Sequence, residues 1–299
     1  MSRLTQKAHW DYVHVGEQGR LLPAEERRSK VTRGLKRLLG DNVLERMTAY
    51  DDYLLWNVIF PKYLPRMSGA KVVEIGSAPG EYIVQFSQRH GCIPYGIEYS
   101  EVGVEVNRRV FSQHGFNPDN VIHSDFFSSE FRESYRNQFD AVISKGFIEH
   151  FTDLRPVIDG HMTILKPGGY LIVTIPNLRG LNYPLTRFFD EQAIPRHNIK
   201  IMRKKVYATL FDREDLEPVF CDYYGTFSFY LFTTGRSAFR QCALKTSHKL
   251  QPLLNLAFRT ALGKKGAESG LFSPFLLYIG RKNIPLLPEE GCPSESTDR

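Results

Sequence analysis

Five side chains in the middle of this chain are of types and at spacings that can do chemistry: Glu74, Glu98, Asp125, Glu149 and His150. Glu74 opens Glu74-x-Gly76-x-x-x-Gly80, at the end of the apolar run Val72, Val73 and Ile75. Glycines let a backbone approach a ligand with no Cβ in the way. A helix opening after Gly80 would add unpaired N–H groups beside them. The dinucleotide fingerprint G-x-G-x-x-G fails here, because Ala78 and Pro79 stand inside the loop. Glu98 comes 24 residues after Glu74. In a nucleotide-binding α/β domain an acid near that spacing takes both ribose hydroxyls, a task suited to a group that only accepts. His150 has a pKa range suited to a base near neutral pH. The other reading of Glu149 and His150 is structural, as partners of backbone where the next element begins.

Those residues need strands and helices to position them. A strand ends at Ile75, a helix spans 81–89 and Gly91 closes it. Further strands are expected at 92–99, 121–125, 139–144 and 165–177, with helices at 102–114 and 153–165, Pro156 in the first turn of the latter. This alternation predicts a parallel sheet with helices on both faces, binding ligands at the carboxyl ends of its strands. Gly76, Glu98, Asp125 and Ser144 all fall at such ends. Later strands are expected within 220–229 and 271–281. The long connection 178–205 should carry helices of its own. One or two helices should fill 236–262, Pro252 starting the second, with Phe239, Cys242, Ala243, Leu250, Leu253, Leu254, Ala257 and Ala261 as the face packed on the core. Docking of that segment on a membrane surface is the alternative. Upstream, a helix is expected to end or kink at Pro61.

Taken in order, these landmarks resemble the class I S-adenosylmethionine (SAM)-dependent methyltransferases over residues 71–177, with Glu74-x-Gly76-x-x-x-Gly80 as motif I. The resemblance implies a Rossmann-like, seven-stranded, mostly parallel sheet with helices on both faces, and SAM as cofactor. It places Glu74, Gly76, Ser77, Gly80, Glu98, Tyr99, Asp125, Phe126 and Ser144 around SAM, Asp125 meeting the adenine amino group and apolar neighbours such as Phe126 packing on the ring. The Glu149-His150 pair resembles the same stretch in small-molecule O-methyltransferases of the ubiquinone-biosynthesis type and their bacterial relatives. That makes Glu149 and His150 the catalytic candidates, with Lys145, His197, Trp10 and Tyr12 on the substrate side. Some of that group use a metal through an extra acid three residues before the Glu; Gly146 stands there, so no metal is expected. S-K-G-F replaces the D/N-P-P-Y/F signature of amino-methylating enzymes.

The domain reading is a helical cap or lid at 1–69, a methyltransferase domain at 70–284 with helical insertions at 178–205 and 236–262, and a flexible tail at 285–299. Residues 71–178 carry nine basic and thirteen acidic side chains, while 179–265 carry fifteen and seven. An acidic core suits a sulfonium cation, and the basic flanks could face an anionic partner. The four scattered cysteines form no C-x-x-C pair, and neither a signal peptide nor a membrane span is evident, so the expected location is cytoplasmic. The expected activity is methyl transfer to a small-molecule acceptor at a hydroxyl oxygen of a sugar, quinone, polyketide or other secondary metabolite. Nucleic acid is not an expected partner. Alternatives are an RNA or protein methyltransferase, resting on the basic flanks, a non-catalytic partner protein of the same fold, and a NAD-linked oxidoreductase, which the missing third glycine disfavours.

Overall fold

The computed structural model describes residues 3–5, 41–235 and 237–285. Trp10, Tyr12, the helix expected before Gly40 and the tail from 286 lie outside these residues. The first helices are α1 (Asp41–Arg46), α2 (Tyr50–Leu54) and α3 (Phe60–Tyr63), the last two joined by a π turn (Leu55–Ile59). The chain meets Pro61 by widening: the N–H of Phe60 bonds to the carbonyl of Leu55. The helical path then continues to Tyr63 instead of stopping at the proline.

Seven strands follow: β1 (Lys71–Ile75), β2 (Ile93–Glu98), β3 (Val121–His123), β4 (Phe139–Lys145), β5 (Leu165–Pro176), β6 (Leu216–Tyr224) and β7 (Phe275–Lys282). Their order is β3-β2-β1-β4-β5-β7-β6. The first five are parallel, and β7 runs antiparallel to both β5 and β6. The central strands β1, β4 and β5 are buried on both faces over Val72–Ile75, Ala141–Ser144 and Leu171–Ile175 and read as nearly continuous apolar runs, as a covered parallel sheet requires. One face carries α4 (Glu81–His90) and α5 (Glu101–Gln113) with the π-turn residues Leu55, Trp56 and Ile59; Ile83, Phe86 and Phe111 are fully buried there. The other face carries α6 (Ser129–Ser134), α7 (Arg155–Ile164) and, after α8 (Asn182–Phe189), α9 (Lys204–Thr209), around Phe139, Val157 and Tyr207.

Successive strands move outward from β1 through β2 to β3, then jump to β4 on the other side of β1. The loops after β1 and β4 therefore part over a crevice at their carboxyl ends, where a sheet of this kind binds ligands.

One helix overturns its sequence reading. α10 (Ala238–Ala261) is single and runs through Pro252. The face expected to pack on the core points outward: Phe239 is 71% exposed, Leu253 56% and Leu250 51%. The buried positions are Leu244, Gln251 and Asn255. Gln251 accepts from the N–H of Phe229 and donates to the carbonyl of Phe227, and Asn255 donates to the carbonyl of Met47. These polar side chains satisfy backbone groups that the loop after β6 and the end of α1 would otherwise bury unpaired. The hydrogen bonds, not the apolar stripe, set the helix's rotation.

Candidate active site

Two adjoining cavities fill the crevice. The larger, about 550 Å³, lies between the β1 loop, Lys145, the Glu149-His150 pair, the end of β5 and the segment from Tyr230 to Thr233. The smaller, about 140 Å³, lies between Glu98, Tyr99, Asp125, Phe126 and Arg3.

The β1 loop is shaped by two glycines. Gly76 has φ +66°, and a Cβ there would meet the Phe147 ring at 3.1 Å. Gly80 has φ +104°, and a Cβ there would run into the Oδ1 of Asn107 on α5. Gly80, which also lines the larger cavity, is thus required by its own backbone conformation and by helix packing whatever binds beside it. Ser77 turns its hydroxyl away as well, accepting from the Asn107 side-chain amide in a buried contact.

At the smaller cavity Glu98 is buried, and its Oε1 accepts from the N–H groups of Tyr99 (2.9 Å) and Ser100 (2.8 Å). These bonds aim the carboxyl at the start of α5. Asp125 takes the guanidinium of Arg3 on both oxygens, at 3.0 and 2.9 Å. The Arg3 guanidinium lies 5.3 Å from the ring centroids of both Tyr99 and Phe127. A group reaching Asp125 has to share it with Arg3. Phe126 is buried against Phe147 and His161 at one wall.

Ser144 is not brought to the crevice. It is fully buried, and its hydroxyl lies 3.1 Å from Nε2 of His161. Burial lowers the His161 pKa to about 4, and its Nδ1 lies 2.7 Å from the Val157 carbonyl. A neutral ring donating there through Nδ1 accepts the Ser144 proton at Nε2. Strand alternation explains the placement: Ser144 and Lys145 face opposite ways, and Lys145 is the one that reaches the cavity.

The larger cavity gathers buried polar atoms without hydrogen-bond partners among the described residues: Glu74 Oε2, Tyr82 OH and Glu149 Oε2. Burial raises the carboxyl pKa of Glu74 to about 8 and that of Glu149 to about 8. Nearby Asp51 rises to about 7, through burial first and then the charge of Asp52. Lys145 stands 4.5 Å over the Tyr82 ring and opposes the rise at Glu74 and Asp51. The sequence reading missed Tyr82, Arg3 and Thr5. Tyr82 had a signal, two residues past Gly80 on the first turn of α4; the other two precede the core and had none.

His150 is held from the far side of the ring. Its Nδ1 lies 2.9 Å from the Thr5 hydroxyl and 2.9 Å from the Arg196 carbonyl, while Nε2 is 3.9 Å from Glu149 Oε1. The Nδ1 of His197 is 2.6 Å from the Ala193 carbonyl, and the two imidazole centroids are 4.7 Å apart. A carbonyl at Nδ1 fixes the proton there and makes Nε2 the acceptor. Glu149, His150 and His197 each offer one ligand atom, all within 4.8 Å of one another, so this group could hold a metal ion. The sequence reading expected none on the strength of Gly146; His197 supplies the third group from the connection after β5.

Asp51, Glu74 and Glu149 have folded pKa values above their unfolded ones, so the native state binds more protons between about pH 4.5 and 8. Their stabilising share is full below the unfolded pKa and is lost as pH rises through the folded one. Urea denaturation should show lower stability at pH 8 than at pH 5, and Glu74→Gln should flatten the difference. A wild-type stability rising from pH 5 to 8 would contradict the burial argument.

The topology and the two-part crevice define a class I SAM-dependent methyltransferase fold, and the comparisons agree. Residues 66–219 match the family model described as a methyltransferase domain. The chain belongs to that family, and its cofactor is SAM. It is 25% identical over 117 residues to the ubiquinone biosynthesis O-methyltransferase of Acinetobacter baumannii (strain AYE), covering 39% of this chain and 48% of that protein. The mitochondrial protein of the same name from Homo sapiens is 38% identical over 63 residues, covering 21% and 17%. The match thus spans about half the length of the first relative and less of the second. Geranyl diphosphate C-methyltransferase from Streptomyces coelicolor A3(2) shares the fold at TM-score 0.50 and 15% identity, covering 90% of this chain and 87% of that one. MccD protein does so at TM-score 0.50 and 14% identity, covering 78% and 96%. Among the described residues no helix is long and apolar enough to cross a membrane.

The crevice fits SAM. The buried, unpartnered Glu74 Oε2 faces the larger cavity, where a cationic group would supply its missing partner, and Glu98 is already oriented in the smaller one.

Proposed function

We propose that this protein transfers the SAM methyl group to a hydroxyl oxygen of a small molecule bound in the larger cavity. The observation that carries the proposal is His150, turned by its Nδ1 anchor so that Nε2 is the acceptor nitrogen beside that cavity. SAM supplies an activated methyl group whose leaving group needs no protonation. The protein's part is to align the acceptor and hold its proton. Leu178, Leu231 and Phe275 offer an apolar wall for the acceptor's body, and His150 Nε2 takes the hydroxyl proton. Glu149, kept neutral by burial, donates a hydrogen bond to the acceptor oxygen. Glu98 binds the ribose hydroxyls, and Glu74 pairs with the ammonium of the methionine part. The acceptor on this reading is a metabolite carrying a hydroxyl on an apolar frame.

The test is S-adenosylhomocysteine release from SAM and a panel of phenols, catechols, sugars and polyketide alcohols, with amines and RNA as controls. Turnover on an amine or RNA alone would overturn the oxygen assignment. Separately, Glu98→Ala should raise the SAM dissociation constant by about 10- to 100-fold, the scale of lost charge-assisted hydrogen bonds. Titration calorimetry measures this, and an unchanged constant would place the ribose elsewhere.

A further inference from the structure

The outward face of α10 has no use in the chemistry above, yet it is the most exposed apolar feature of the described chain. Phe239, Leu250, Leu253, Ala257 and Ala261 lie on one stripe, with Cys242 and Thr246 between them and no charge among them. Phe239 reaches the exposed Phe188 of α8, ring centroids 6.3 Å apart, which broadens the stripe across two helices. From Phe239 to Ala257 the stripe runs roughly 27 Å at 1.5 Å per residue. The helix cannot turn it inward. Gln251 and Asn255 would lose their backbone partners, and Arg259, 3.4 Å over the Tyr53 ring, would be pulled away.

Charge identifies what covers the stripe. α10 contains no aspartate or glutamate, and neither does α8. Lys245 and Lys249 lie exposed along one edge of the stripe, Arg187 is exposed on α8, and Lys264 and Lys265 are exposed just past the end of α10. An uncharged apolar stripe rimmed by cations is the pattern of a helix lying in the headgroup region of an anionic bilayer. Two copies meeting face to face would bring their lysines together. A convex helical ridge also needs a yielding surface, which lipid offers without a preformed groove.

We propose that α10, with Phe188 of α8, docks this protein on the surface of an anionic phospholipid bilayer, its apolar stripe in the headgroup boundary and its lysines on the lipid phosphates. The helix lies along the surface and does not cross it. Docking would leave Phe229–Leu231, which hydrogen-bonds to His248 and Gln251 on the inward side of α10, behind the helix that meets the lipid. Tyr230 and Leu231 line the larger cavity.

The test is flotation of the full chain with phosphatidylcholine vesicles, with and without phosphatidylglycerol. The expected result is binding to the anionic vesicles that salt suppresses. Leu250→Glu with Leu253→Glu should lower the bound fraction at least about tenfold while thermal midpoint and SAM affinity stay those of wild type. Lys245→Glu with Lys249→Glu should remove the preference for phosphatidylglycerol. In a Cys292→Ser background, an environment-sensitive dye on the exposed Cys242 should shift to the blue on vesicle addition. Wild-type protein that stays with the aqueous phase overturns the proposal. So does a large fall in thermal midpoint for the leucine variant, the sign of a stripe covered by another part of this chain. A concentration-dependent dimer that the leucine variant disperses overturns it in favour of a second copy.

Discussion

His150→Gln is expected to lower the methyl-transfer rate by about 10²–10⁴-fold, the usual worth of a positioned general base. SAM affinity should change far less than the rate, because His150 bonds to Thr5 and the Arg196 carbonyl and stands between the two cavities, where glutamine can fill its place. Glutamine keeps the polarity of the position but cannot take the proton. The deficit should therefore shrink as pH rises and a phenolic acceptor ionises unaided. Rate against pH for the two enzymes, with SAM saturating, measures this. A variant that matches wild type at neutral pH would reduce His150 to a structural partner of the Arg196 carbonyl. A deficit that stays constant with pH would mean the ring positions the acceptor without accepting its proton.

Gly80→Val is expected to damage the fold before it touches the cofactor. Two costs add: a φ of +104° that L side chains rarely adopt, and a Cβ driven into the buried Asn107 amide that holds Ser77. Strain and overpacking of this kind together cost about 2–5 kcal/mol, a large share of the stability of an ordinary domain. Thermal denaturation without ligand should show a midpoint lower by many degrees, or the variant should be insoluble. A folded variant of wild-type stability with lost SAM affinity would instead mean that Gly80 faces the ligand. The sequence alone suggests that second outcome, since a glycine in such a loop reads as room for a ligand; the neighbour that fills the room, Asn107, lies on another helix.

The same contrast runs through the molecule. The strands and the crevice were legible because burial on both faces leaves continuous apolar runs, and because Glu74, Glu98 and Asp125 end three of them or the turn just beyond. The strand from β4 was legible, but not that its last two side chains part company, Ser144 toward His161 and Lys145 into the cavity. The rotation of α10 was illegible, because an apolar stripe normally marks the inward face. Here the backbone groups of Phe227, Phe229 and Met47 had to be paired, and glutamine and asparagine outcompete leucine for that place. The hold of Thr5 on His150 joins residues 145 positions apart, and no periodicity carries such a contact.

The placement of β7 has a consequence for how the chain comes to exist. β7 is inserted between β5 and β6, so among the described strands β6 has no neighbour except β7, the last of them in sequence. During synthesis the first five strands and both cavity loops leave the ribosome while β5 still has a bare edge. At about 5–20 residues per second, the hundred or so residues between β5 and β7 keep that edge open for many seconds. Leu171, Ile172, Val173 and Ile175 are fully buried once β7 arrives, and until then they form a strand edge of the kind that recruits other chains. The cofactor half of the sheet is therefore available to fold early, and protection of its β5 edge comes only when β7 pairs with it.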